Sequence, residues 1–202
     1  MIEFLRKTIK PTFSHLLTSL FLLFSLVYAI GVISVGKEAI TALCASLISI
    51  ALCLGIAHGI TKPNKTIILG MLTALIGYYC ISYFLTGISI LNNIDPIFKS
   101  DSTLGTAYLL VCLAHTFIFA FGIFFIVAKY IVTSRNVKNN LTLAAFISGL
   151  CSFILYLVAF ILFINKNLYD GEHWYILFSE LSAIILPLVF ICDATLAESV
   201  TN

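Results

Sequence analysis

Charged residues are spaced along this chain so that long apolar stretches separate them. The runs without Asp, Glu, Lys or Arg are 11–36, 39–61, 66–94, 102–128, 139–165 and 173–192, the last interrupted by Glu180. A helix that crosses a bilayer needs about 20 apolar residues, because it rises ~1.5 Å per residue and the hydrocarbon core is ~30 Å thick. All six runs reach this length. Strands of a membrane barrel would instead alternate over about ten residues, a pattern that does not occur here.

The runs therefore predict an all-α fold, a polytopic transmembrane bundle of six helices in a single domain. Helices are expected because they satisfy their own backbone hydrogen bonds where water is absent. The predicted spans are 12–34, 39–60, 67–91, 105–132, 141–165 and 175–197. The longest connection, 92–105, is too short for a soluble catalytic domain. Any chemistry is therefore expected within the membrane or at its faces.

Basic residues favour one side of the predicted membrane. Eight lie on one side: Arg6, Lys7, Lys10, Lys62, Lys65, Lys129, Arg135 and Lys138. Three lie on the other: Lys37, Lys99 and Lys166. Because Lys and Arg in short loops stay in the cytoplasm, both termini are predicted to be cytoplasmic, in a multi-pass protein of the cell membrane.

The first apolar run has two interpretations. Its basic start and the small residues Val27-Tyr28-Ala29 loosely resemble a cleavable signal peptide. The run is longer than the 7–15 apolar residues that such signals contain. We therefore expect an uncleaved first helix and keep cleavage as the alternative.

Composition excludes several classes of function. The chain is 61% hydrophobic and 10% charged, with a mean hydropathy of +1.11, whereas soluble domains have roughly a quarter charged residues. A net charge of +2 without a basic stripe argues against nucleic-acid binding. The sequence contains no Cys-x-x-Cys pair, metalloprotease motif or nucleophile elbow. We expect no enzyme activity and no cofactor, and read the six cysteines as packing residues.

Small residues at helical spacing predict where the helices touch. Helices in lipid associate through close packing, so small side chains mark contact faces. In the third predicted helix these are Gly70, Ala74 and Gly77. In the fifth they form a longer row: Ala145, Ser148, Ser152, Tyr156 and Ala159. The large Phe, Leu and Ile side chains are expected to face lipid.

One acid lies well inside a predicted span. Glu180 is five residues below Tyr175, or roughly 7–8 Å at ~1.5 Å per residue. An unpaired carboxylate at this depth costs several kcal/mol, so it should be protonated, paired or in contact with water. His115 lies at a similar depth and is the predicted partner. Three hydroxyl groups are expected to lie nearby, those of Ser179, Ser182 and Thr116.

Pro187 lies in the same predicted helix as Glu180. It removes one backbone hydrogen bond, to the carbonyl of Ala183, and is predicted to kink the helix. An acid beside a broken helix is typical of coupling-ion sites, so a substrate or proton-relay site is one interpretation. A protonated acid in an interhelical contact is the other.

A second polar group is predicted at the cytoplasmic ends of the helices. It comprises His15, His58 and Asp193, at similar depth. Such ligands could bind a metal, but each is close enough to the interface to be simply solvated. A buried bis-histidine haem is not expected, because His58 and His115 lie at opposite depths.

Two functions follow from this sequence as hypotheses. The first is a non-enzymatic membrane component, namely an accessory subunit, scaffold or protective factor that acts through helix contacts. Its partners would be the lipid bilayer and other membrane subunits. The second is a small-solute or ion transporter with a proton-coupled site at Glu180 and His115.

Overall fold

The computed structural model describes residues 11–35, 44, 47–56, 65–167 and 174–199. All regular structure in these ranges is helical. Among the described helices, five are long and apolar enough to cross a membrane. The all-α prediction is confirmed for these ranges, and the five helices indicate an integral membrane protein.

The described helices follow the predicted spans closely. They are α1 Pro11–Val35, α2 Leu47–Ile56, α3 Lys65–Asn92, α4 Ile94–Ser100, α5 Ser102–Ile126, α6 Arg135–Asn165 and α7 Trp174–Ser199. A π-helix, Val127–Ile131, continues α5. Within the predicted second span, 39–60, the structure describes residue 44 and the helix α2. The rest of this span lies outside the described residues. The sixth crossing therefore stays a prediction.

The connection 92–105 is more ordered than its length suggests. It contains the short helix α4, in which Ile94 is buried and Phe98 packs against Gly105. α5 begins at Ser102, earlier than predicted, because the Asp101 carboxylate accepts hydrogen bonds from the backbone N–H groups of Thr103 and Leu104. Such a side chain satisfies donors that the first helical turn otherwise leaves without partners.

α6 also begins earlier than predicted, at Arg135 instead of 141. The sequence between these positions is polar, so an apolarity criterion excludes it. Helical backbone bonds nevertheless form there, including one from the Lys138 N–H to the Ser134 carbonyl at 2.9 Å. α6 is therefore longer than its apolar segment, because helical hydrogen bonds continue into the polar residues that precede that segment.

The chain divides into two compact units. The first comprises residues 1–75 and 169–202, and the second comprises 76–168, so the boundary falls within α3. In the first unit α1 packs along α7. The Phe24 and Phe178 rings are 6.0 Å apart, and the Tyr28 and Tyr175 rings are 6.2 Å apart. Gly31 is essential to this contact, because a Cβ there would collide with Tyr175.

In the second unit α5 packs against α6. The predicted contact row of the fifth span is buried throughout: Ala145, Ser148, Ser152, Tyr156 and Ala159. Ser152 Oγ also donates to the Ala114 carbonyl at 2.9 Å. The prediction is therefore confirmed for α6, where small side chains let the two backbones approach.

For α3 the same prediction stays a prediction, because no described helix covers the row. Gly70 and Ala74 are exposed. A Cβ added at Gly70 or Gly77 would meet no described atom within 4 Å. We call Gly70, Ala74 and Gly77 the open face of α3. The spacing marks a contact face, but the described part of this chain does not supply the helix that covers it.

Large side chains face outward only in part. Several Leu and Ile side chains are exposed as predicted, for example Leu150, Ile154 and Ile161 on α6, while others, such as Leu72 and Ile118, are buried. The prediction is also wrong for the Phe rings that are buried: Phe21, Phe121, Phe125, Phe146, Phe163 and Phe190. Flat rings fill the spaces beside small residues and gain dispersion contacts there.

We expect stability to depend on pH through Asp101. Lys166 Nζ lies 2.6 Å from Asp101 Oδ2, and this hydrogen bond, together with those from Leu104 and Thr103, holds the pKa of Asp101 below its ordinary value of 3.8. The stabilisation is complete above pH 3.8 and is lost as the pH falls through the lowered pKa. Asp101→Asn should therefore lower the melting temperature in detergent at pH 7 and have a smaller effect near pH 2.

Thermal unfolding of both proteins across this pH range tests the expectation. Asp95→Asn, which neutralises an exposed acid of α4, is the matched control and should change the melting temperature little. A difference between the Asp101→Asn variant and the native chain that stays constant down to pH 2 would contradict the assignment.

Candidate functional site

The predicted site residues lie on two helices in different units. Glu180, Ser179 and Ser182 belong to α7 in the first unit, whereas His115 and Thr116 belong to α5 in the second. Each group is described within its own unit. The pairing of Glu180 with His115 stays a prediction.

Glu180 is a half-buried side chain of α7. It lies two residues before the largely buried segment that begins at Ser182. Ser182, two residues further on, is buried. Its hydroxyl donates to the Phe178 carbonyl at 2.9 Å and lies 3.4 Å from Ser25 Oγ of α1. Ser182 therefore takes part in the α1–α7 contact. Within the first unit, no described residue forms a hydrogen bond or ion pair with Glu180, and Ser179 is half-buried.

Pro187 lies inside α7 and is buried. The helix continues through it from Trp174 to Ser199, so the missing backbone bond does not end the helix. The predicted kink at Pro187 stays a prediction. The segment from Ser182 to Thr195 is buried around most of its circumference.

Asp193 lies on the same helix and is the most deeply buried acid of the described chain. Its side chain is 1% exposed, and its Oδ1 accepts a hydrogen bond from Ser14 Oγ of α1, which is also 1% exposed. Oδ2 is buried without a described hydrogen-bond partner. The expectation that interfacial water solvates Asp193 is therefore wrong. The carboxyl joins two helices instead.

The predicted metal group is only partly described. His15 is half-exposed, and Asp193 is bonded to Ser14, while His58 lies outside the described residues. Over the described ranges, no three His, Cys, Asp or Glu side chains gather closely enough to hold a metal ion. The metal site stays a prediction.

His115 occupies an aromatic setting in the second unit. It is 5% exposed and stacks on Tyr83 of α3 with the ring centroids 4.7 Å apart, while Tyr156 of α6 approaches it edge-on at 5.6 Å. The nearby position 87 is glycine, and a Cβ there would lie 3.6 Å from His115 Nδ1. Nδ1 is buried and forms no hydrogen bond with a described residue. Thr116 is exposed and donates to the Cys112 carbonyl of its own helix at 3.0 Å.

Aromatic packing fixes the position of the His115 side chain within the second unit. Ring stacking and close approach to a glycine hold the imidazole in place, and a stacked, edge-contacted ring is a stable aromatic geometry. The part that His115 would take in a proton relay stays a prediction.

Sequence reasoning missed the Ser14–Asp193 contact, although a signal for it exists. The buried positions of α1 include Ser14, Leu17, Thr18 and Phe21, which recur at the spacing of one helical face. His15 is rotated away from that face by one residue, about 100°. His15 was selected because of its depth along the helix. The rotation from one residue to the next, however, places Ser14 and not His15 on the face that contacts α7.

Comparison with known proteins gives no further guide to this site. No family model matches the chain, and neither a curated protein nor a solved structure matches it. The functional argument therefore rests on the geometry described above.

We expect Ser14→Ala to destabilise the first unit by about 1 kcal/mol. Interhelical hydrogen bonds in membranes contribute about 0.6 kcal/mol on average, and leaving a buried partner unsatisfied raises the cost. Unfolding in mixed micelles, followed by the fluorescence of Trp174, the only tryptophan, measures this. Ser34→Ala removes a hydroxyl whose described hydrogen bond goes to the Gly31 carbonyl of its own helix, and it should cost less. Equal stability of the two variants would refute an interhelical role for Ser14.

Proposed function

We propose that this chain is a non-enzymatic component of the cell membrane that acts through helix contacts, as an accessory subunit, scaffold or protective factor. The open face of α3 is the observation that carries this proposal. Gly70, Ala74 and Gly77 line a spanning helix, yet no described atom lies within 4 Å of the position that a Cβ of Gly70 or Gly77 would occupy. Small residues gain nothing from facing lipid but let another helix approach closely. The occupant we propose is an apolar transmembrane helix of a partner protein.

The internal polar groups support the same function. Ser14 is bonded to Asp193, Ser152 to the Ala114 carbonyl, and the Cys80 thiol to the Ile118 carbonyl at 3.3 Å. Each contact joins two helices and satisfies a group that would otherwise be costly in an apolar interior. These polar side chains hold the helices of this chain together. This favours a membrane component that acts through helix contacts over a catalyst.

The topology completes the proposal. Six crossings follow if the apolar run 39–60, of which Leu47–Ile56 is a described helix, spans the membrane as the five longer helices do. Both termini are then cytoplasmic, as the distribution of basic residues favours. The partner helix would reach α3 from within the bilayer.

Leucine substitutions on the open face test the proposal. Gly70→Leu combined with Ala74→Leu fills the face, so we expect at least a tenfold loss of the partner that co-purifies with the chain in mild detergent. Ala51→Leu adds a similar volume to an exposed position of α2 and should retain the partner. Because Gly70 and Ala74 touch few described atoms, the variant should elute as the same monodisperse species. Full retention by the double variant, or a native chain that purifies alone, would reject the proposal.

Transport is the second candidate function, and the position of Glu180 favours it. Glu180 is a half-buried acid within an apolar spanning helix, and acids in such positions often mark ion pathways. His115, Ser179, Ser182 and Thr116 would be the accompanying polar groups, with Pro187 the point of flexure.

Glu180→Gln separates the two functions. In vesicles that contain the purified chain and a pH-sensitive dye, a scaffold should give proton flux equal to that of empty vesicles, both native and as Glu180→Gln. We expect this result, together with unchanged co-purification of the partner. A native flux that Glu180→Gln abolishes and Glu180→Asp restores would establish transport instead.

A further inference from the structure

The turn between α5 and α6 has an unusual surface. α5 continues as the π-helix Val127–Ile131, which ends where the Val132 N–H bonds the Val127 carbonyl at 3.1 Å, and α6 begins at Arg135. Ala128 is buried and holds the π-helix against the bundle. The last two side chains of the π-helix point outward, with Tyr130 56% exposed and Ile131 67% exposed. We call residues 129–138 the basic turn.

Three cations lie in the basic turn: Lys129, Arg135 and Lys138. The sequence contains no Asp or Glu from Ser102 to Lys166. Asp101 pairs with Lys166 at the far end of α6, whose 31 residues span about 46 Å at ~1.5 Å per residue. That distance exceeds the ~8 Å screening length of physiological salt several times. Within the described residues of their own unit, no acid therefore lies near enough to neutralise Arg135 or Lys138.

The apolar side chains of the turn accompany these cations. Tyr130, Ile131 and Val137 are all exposed. The Lys129 ammonium lies 5.9 Å from the centroid of the Phe125 ring, a cation–π contact that holds the charge where the apolar part of α5 ends. The surface thus combines cations with adjacent apolar side chains, at the depth where a spanning helix leaves the hydrocarbon.

From this combination we infer that the basic turn binds an anionic phospholipid. The lipid phosphate would lie against Arg135 and Lys138, and its acyl chains would lie beside Tyr130 and Ile131. A phospholipid offers negative charge and an apolar body side by side, which is the complement of this surface. An acidic soluble segment would complement the cations only and would leave the exposed apolar side chains uncovered.

Native mass spectrometry of the full chain tests this binding. The purified protein is titrated in micelles with phosphatidylglycerol or phosphatidylcholine of identical acyl chains. We expect tighter binding of phosphatidylglycerol, and a loss of about fivefold in its affinity for each cation removed. The double variant Arg135→Gln with Lys138→Gln should therefore bind it about 25-fold more weakly, by that same factor applied twice. Lys99→Gln, at an exposed position of α4, is the control and should bind as the native chain does.

The outcomes are distinct. Retained phosphatidylcholine binding in the double variant, with weakened phosphatidylglycerol binding, supports the inference and shows that the variant is folded. Equal binding of the two lipids by the native chain would overturn it, as would unchanged phosphatidylglycerol affinity in the double variant. Binding of a polyglutamate peptide in preference to phosphatidylglycerol would also overturn it. None of these outcomes depends on whether α3 recruits a partner helix.

Discussion

The absence of water around the apolar runs is the constraint on which this structure depends. A backbone N–H or carbonyl in hydrocarbon has no solvent partner, so each spanning run satisfies its own groups as a helix. The same constraint governs the side chains. Ser14, Ser152 and Cys80 bond across helices, while Thr73 and Thr142 bond carbonyls of their own helices at 2.7 Å and 2.9 Å. These polar side chains thus form hydrogen bonds with other polar groups of the protein, in an environment that offers no water.

Much of the fold could be predicted because lipid imposes a simple length rule. Five predicted spans coincide with described helices, and the row of small residues on α6 is a true contact face. The helix starts were less predictable, because Asp101 and Arg135 act through capping and continued backbone bonding rather than through apolarity. Apolarity reports where lipid lies, whereas local hydrogen bonds decide where a helix begins.

The candidate site was harder to predict, because depth alone does not say which way a side chain points. Ser14 and His15 share a depth, but only Ser14 faces α7 and meets Asp193. Glu180 and His115 were chosen by depth in the same way, and each proves to have a distinct setting, the one half-buried on α7 and the other stacked between tyrosines. The pattern of the open face of α3 is equally ambiguous, since spacing identifies a contact face without identifying what covers it.

The contact between Asp101 and Lys166 has a consequence for biogenesis. It joins the residue that starts α5 to the residue that follows α6, so the two charges lie at the same end of a helical hairpin. They can meet only after both helices have been inserted. The ion pair therefore cannot form before the chain has been synthesised as far as Lys166, and it marks a hairpin whose two helices are already aligned side by side.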